Sequence, residues 1–133
     1  MFNYKIDKLQ GIIFTRASGT PTTVTIIDHI QNVLNDPDFD PKYNSIIIFE
    51  ENTHIAGFPK DEIKTIRNIL DGYAQQRTGR NWAVVAPNER QETFLKLNLE
   101  LIGPVKFNIR IFQSEDDALN WIKGRQLDIL NKR

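Results

Sequence analysis

Phe2, Tyr4 and Ile6 alternate with Asn3, Lys5 and Asp7, and a second apolar run, Ile12-Ile13-Phe14, follows a turn over Asp7 to Gly11. Alternation around a turn predicts an antiparallel hairpin. Ser18-Gly19-Thr20-Pro21 breaks the second strand, and Thr20 as N-cap with Pro21 at the first helical position predicts a helix carrying Val24, Ile27, Ile30 and Leu34 on one face. Pro37 and Pro41 end it, because proline cannot continue a helix. Ile46-Ile47-Ile48-Phe49 and Trp82-Ala83-Val84-Val85-Ala86 are apolar without alternation, the pattern of adjacent central strands covered on both faces. Between them, residues 50–58 read as a loop and 59–72 as a helix with Ile63, Ile66, Ile69, Leu70 and Tyr73 at helical spacing. Asn88-x-x-Gln91 resembles a capping box opening a helix that Gly103-Pro104 closes. Val105, Phe107, Ile109 and Ile111 alternate again as a strand. Ser114-x-x-Asp117 caps a last helix through Ala118, Leu119, Trp121 and Ile122, with Gly124 as its expected end and residues 125–133 either extending it or fraying. The order β-β-α-β-α-β-α-β-α predicts an α/β fold: a mixed sheet with an N-terminal antiparallel hairpin and parallel strands joined through helices. One domain over residues 1–133 accounts for every segment.

Composition narrows the function. The chain has 133 residues, 17 Lys plus Arg against 17 Asp plus Glu, two His and no Cys. Zero net charge argues against a general nucleic-acid or membrane-surface binder, since both need excess positive charge. Without cysteine there is no thiol nucleophile, disulfide or thiolate zinc site. The start Met1-Phe2-Asn3-Tyr4-Lys5-Ile6-Asp7 lacks the apolar core of a signal peptide, and no run is long enough to span a bilayer, so the cytoplasm is the expected address.

Phosphate-loop, dinucleotide, zinc-protease and nucleophile-elbow motifs are all absent from the sequence. Catalysis would have to use His29, His54 or carboxylates. His29 reads as a helix histidine on the polar flank. Glu50, Glu51, Asn52, Thr53 and His54 follow a buried strand, the edge where open α/β sheets place ligands. Two acids and a histidine there suit a metal only by composition, and no cofactor is expected. Asn88 and Ser114 belong to the same edge as helix caps whose free amides attract anions, against the plainer reading of caps alone. Phe58, between Gly57 and Pro59, either tucks over the helix start or meets a partner. Arg77, Arg80 and Arg90 read as surface charges, and Trp82 and Trp121 as core. Leu95, Leu97, Leu99, Leu101 and Ile102 exceed what one helix face can bury, leaving apolar surface for a partner, a second subunit or a lipid-like ligand.

Tyr4-x-Ile6, Arg16-x-x-Gly19, Asp36-Pro37-x-Phe39-Asp40-Pro41-x-Tyr43-Asn44, Gly79-Arg80 before Trp82-Ala83-Val84-Val85-Ala86, and Phe112-x-Ser114-x-x-x-Ala118-x-x-Trp121-Ile122 span nearly the whole chain. Together they resemble the small bacterial SpoIIAA-like proteins, relatives of the STAS (sulfate transporter and anti-sigma factor antagonist) domains and of lipid-binding folds. The resemblance implies a non-enzymatic α/β domain that acts by binding. Anti-sigma antagonists of that kind carry a phosphorylatable serine after the central strand. Here residues 49–58 hold no serine, Thr53 is the lone hydroxyl, and Glu50 and Glu51 would repel a phosphate. The expectation is a STAS-like regulatory module that docks a protein partner, or its own copy, through residues 50–58 and the next helix. The alternative is a carrier of a small apolar ligand lodged between the sheet and the third helix.

Overall fold

A computed structural model describes residues 1–54 and 58–131, with side chains as far as Leu127. Ile55, Ala56 and Gly57 lie outside the described residues, so the expected docking loop is seen on its two flanks. The elements are β1 (Phe2–Asp7), β2 (Ile12–Ala17), α1 (Thr23–Leu34), β3 (Asn44–Phe49), α2 (Lys60–Gln75), β4 (Asn81–Val85), α3 (Glu89–Ile102), β5 (Asn108–Phe112) and α4 (Glu115–Asn131). They form one five-stranded sheet in the order β1-β2-β3-β4-β5. β1 is antiparallel to β2, and every other pair is parallel. The α/β class, the element order and the side-by-side placement of the two apolar strands follow the expectation from sequence. No helix among the described residues is long and apolar enough to cross a membrane.

The topology decides where the helices go. Right-handed crossovers between strands that march one way across a sheet put every crossover helix on one face. α1, α2 and α3 accordingly share a core with Ile13 and Trp82 that includes Ile30, Val33, Ile66, Leu70, Tyr73 and Ile102. Among the described residues, α4 alone covers the opposite face, packing Ala118 and Ile122 on Ile12, Ile46, Ile48, Ala83 and Val85. The two-residue period of the strands divides β3 cleanly. Ile46 and Ile48 face α4, while Ser45, Ile47 and Phe49 face the three-helix side.

Several boundaries differ from expectation for local reasons. α1 starts two residues later than the Thr20-Pro21 signal suggests, because Thr22 and Thr25 cap each other: the Thr25 N–H donates to Thr22 Oγ1 at 3.3 Å and the Thr22 N–H to Thr25 Oγ1 at 2.8 Å. Asn88 does cap α3, accepting from the Gln91 N–H at 3.0 Å. Gln91, however, does not complete the box, since its amide donates instead to the carbonyls of Glu50, Glu51 and Thr53. β5 begins only at Asn108: Lys106 N–H is held by Asp71 Oδ1 at 3.1 Å, and Phe107 turns inward to stack on Trp82 at 4.1 Å. α4 runs through Gly124 to Asn131. The cost of a helical glycine, about 1 kcal/mol, is offset by the turn beyond it. There Arg125 lies 5.3 Å from the Trp121 ring and Gln126 Nε2 donates to the Gln10 carbonyl at 3.2 Å.

Arg77 departs furthest from its expected place. It is 1% exposed and not a surface charge. The segment between α1 and β3 wraps over it: its guanidinium donates to the Tyr43 carbonyl and to Ser45 Oγ, and packs on the rings of Tyr73 and Phe39. Gly79 completes this junction, because a Cβ there would lie 2.2 Å from the Tyr43 carbonyl oxygen.

Candidate functional site

At the carboxyl edge of the sheet, Glu51, Asn52, Thr53, His54 and Asn88 line one recess of about 190 Å³ together with Arg90, Gln91 and Phe94. Five of the residues singled out from sequence therefore meet. Gln91 is the fastener, since its three bonds to main-chain carbonyls tie the β3–α2 connection to α3. Glu50 contributes only its backbone to this arrangement. Ser114 caps α4, accepting from the Asp117 N–H at 3.2 Å, and does not line the recess.

Thr53 has a structural task there. It is 5% exposed, and its hydroxyl donates to the Ala17 carbonyl at 2.6 Å, pinning the connection to the end of β2. Asn52 and His54 remain exposed. Among the described residues, no three His, Cys, Asp or Glu side chains converge as a metal site. The recess is polar and mixed in charge, the character of a contact surface.

Phe58 belongs elsewhere. Half-buried, it tucks against the three-helix core, where it lines a chamber of about 140 Å³ with Pro21, Phe49, Leu95, Leu99 and Ile102. A second chamber of about 130 Å³ lies between the sheet and α1–α2, walled by Ile13, Ile30, Ile47 and Tyr73 among others. Phe2, Ile26, Phe49, Leu70 and Trp82 line both, so the two adjoin. Both are partly open to the surface, since half-buried Phe2, Ile26 and Phe49 line them. An engineered apolar cavity of about 150 Å³ accepts benzene. Each chamber thus suits a ring or a short chain, and both together suit a molecule about twice that size.

The walls are apolar with a few polar groups. Thr15, His29 and Ser45 line the second chamber. Thr15 Oγ1 and His29 Nε2 are 3.4 Å apart, and Phe2 stacks on the imidazole at 4.9 Å. Burial lowers the His29 pKa to about 4, so the ring is neutral near neutral pH. The Trp82 indole N–H is buried without a partner among the described residues. No acidic side chain lines either chamber among the described residues.

Thr15, Ser45, Arg77 and Trp82 were not readable as site residues from sequence by motif. One signal was present: Thr15 and Ser45 sit in phase with Ile13, Ile47 and Phe49, polar side chains at inward positions of strands whose neighbours are all apolar. Leu95 and Leu99, from the overcrowded third helix, turn into the chamber. Leu97 and Leu101 remain exposed at 50% and 56%.

The chain matches no known family model, no curated protein and no solved structure.

Proposed function

We propose that the protein acts by binding, and that it holds a small apolar molecule in the paired chambers between the sheet and helices α1, α2 and α3. The observation that carries this reading is the pair of adjoining apolar chambers between the sheet and the three helices. Ligand sites are typically concave and apolar with a few placed polar groups, and Thr15, His29, Ser45 and Trp82 supply that kind of lining. The role needs no catalytic group. It agrees with the carrier alternative drawn from the sequence, with α1 and α2 contributing as much wall as α3.

Butylbenzene, a ring with a four-carbon tail, fits two joined chambers and tests the reading. It should raise the melting temperature of the purified protein in proportion to the logarithm of its concentration, because a ligand that binds only the folded state stabilises it by mass action. Ile47→Phe, which fills the second chamber, should blunt that response while leaving the fold intact. Native mass spectrometry of freshly isolated protein should show added mass that organic extraction removes. A melt indifferent to butylbenzene, in protein free of bound mass, would sink the reading.

The second reading is a STAS-like docking module. It is favoured by one observation: the polar recess assembles Asn52, His54 and Asn88 beside Phe94, which is 37% exposed on α3. Asn52→Ala with His54→Ala would then abolish capture of a protein partner without moving the melt.

A further inference from the structure

Arg77 is a buried cation without an anion. It is 1% exposed, and no carboxylate pairs with it among the described residues. Its contacts are the Tyr43 carbonyl, Ser45 Oγ at 3.1 Å, and the Tyr73 and Phe39 rings at 4.9 and 5.8 Å; Nε has no partner among the described residues. Buried charges are ordinarily paired, because an isolated one forfeits its hydration without return. Burial lowers the Arg77 pKa, which is the signature of that cost.

Ser45 connects this charge to the second chamber. Its oxygen accepts from Arg77, so its own proton is free to be donated onward, and Ser45 lines the chamber. The Trp82 N–H, without a partner among the described residues, belongs to a wall of the same space, which the neutral His29 ring also lines. Ser45 and Trp82 thus offer donors there, with a positive charge directly behind Ser45 and no acid among the described lining residues. A hydrogen-bond donor backed by a cation is complemented by an anionic acceptor.

We propose that the ligand is an apolar monocarboxylate, whose carboxylate accepts from the Ser45 hydroxyl in the field of Arg77 while its hydrocarbon body occupies both chambers. This rests on the apolar-ligand reading above and adds the chemical class of the head group. The body reaches toward Pro21, Phe58 and Leu95 at the carboxyl edge, and the head lies at the start of β3.

The test is isothermal titration of the full chain near neutral pH with three probes of matched shape: para-butylbenzoate, para-butylphenol and butylbenzene. A charge-assisted hydrogen bond in a buried site corresponds to about tenfold or more in affinity. The benzoate should therefore bind about tenfold more tightly than either neutral probe. Ser45→Ala, which leaves Arg77 in place, should erase that advantage of the benzoate over butylbenzene. Arg77→Met should do the same wherever it folds; the serine variant decides the matter if it does not. Equal affinities, a preference for the phenol, or an advantage that survives Ser45→Ala overturns the monocarboxylate assignment while the apolar-ligand reading stands. Failure of all three probes to bind removes both.

Discussion

The two faces of the sheet are built differently from the same strands. On the α4 face, one helix lays Ala118 and Ile122, both wholly buried, onto Ile12, Ile46, Ile48, Ala83 and Val85. The half-buried Phe14, Phe112, Leu119 and Trp121 pack against that cluster, and a single helix finds its place there without competitors. On the other face, three helices must share the same width of sheet, and aromatic rings from Phe2, Phe49, Phe58, Tyr73, Trp82 and Phe107 fill the space between them. Both chambers described lie on that side. Three helices have to be fitted together beside the sheet there, whereas the α4 face joins one helix to it. The contrast teaches that a fold wound in one direction concentrates its irregularity on one side, and binding chemistry can follow it there.

Substitutions can break this comparison or sharpen it. The largest effects should be equal on the two faces: Ile46→Asp on the α4 side and Val84→Asp on the other each bury an unpaired carboxylate, costing several kcal/mol of a stability that is typically about 5–15 kcal/mol. Circular dichroism should find both largely unfolded, and a near wild-type cooperative melt from either would contradict its placement in the core. Size changes should separate the faces. Ile122→Ala removes a wholly buried side chain and should cost about 3 kcal/mol in a denaturant titration. Ala118→Leu should overpack the same face by about 1–3 kcal/mol. Ile47→Phe, which adds bulk beside a chamber, should change stability by less than about 1 kcal/mol in either direction. If Ile47→Phe proves as damaging as Ala118→Leu, the two faces are equally tight and the contrast fails.

Acid provides a milder probe of the chambered side. His29 has a folded pKa of about 4, lowered by burial, against about 6.5 when unfolded. The unfolded chain therefore takes up the proton first, and stability that is full above about pH 6.5 declines as the pH falls toward about 4, by about 2 kcal/mol after discounting residual solvent contact. His29→Gln should flatten that slope in pH-dependent melts; an unchanged slope would assign it to other groups. The smallest expected effect belongs to Thr53→Val. Losing the hydroxyl bond to Ala17 should cost about 1 kcal/mol, softened because that carbonyl also accepts from the Glu50 N–H at 2.9 Å. A loss of several kcal/mol in chemical denaturation would mean that the β3–α2 connection holds more of the fold than this bond explains.

Much of the architecture was legible because it is carried by periodicity. Alternation gave β1, unbroken β-branched runs gave β3 and β4, and turn residues divided the rest. Boundaries failed where a side chain from a distant element settled the matter. Asp71 takes the Lys106 amide away from β5, and Gln10 receives Gln126 beyond Gly124. At the candidate site, the loop after β3 was readable as an edge feature, yet the division of labour within it was not. Thr53 proved structural because Ala17 is near, and Phe58 turned inward because the chamber wall offered apolar contact. Arg77 was opaque for the same reason. An arginine near a helix end is ordinarily solvated, and only the fold of the preceding Asp-Pro segment, anchored by the Tyr4 hydroxyl on Asp36 at 2.7 Å, buries it.

The one-way march of the strands also dictates an order of assembly. Each parallel pair unites segments separated by a single helix, so most pairings form between stretches that are near in the chain, the condition for rapid folding. On a ribosome, β1 to β4 with α1 and α2 can pair as they emerge. The α4 face cannot close until β5 and α4 have followed, so Ile12, Ile46, Ile48 and Val85 stay bare through the last stage of synthesis. A stalled or truncated chain lacking α4 would present that aliphatic surface to its neighbours and aggregate through it, whereas the chambered side, whose helices α1, α2 and α3 all precede α4, would already be complete.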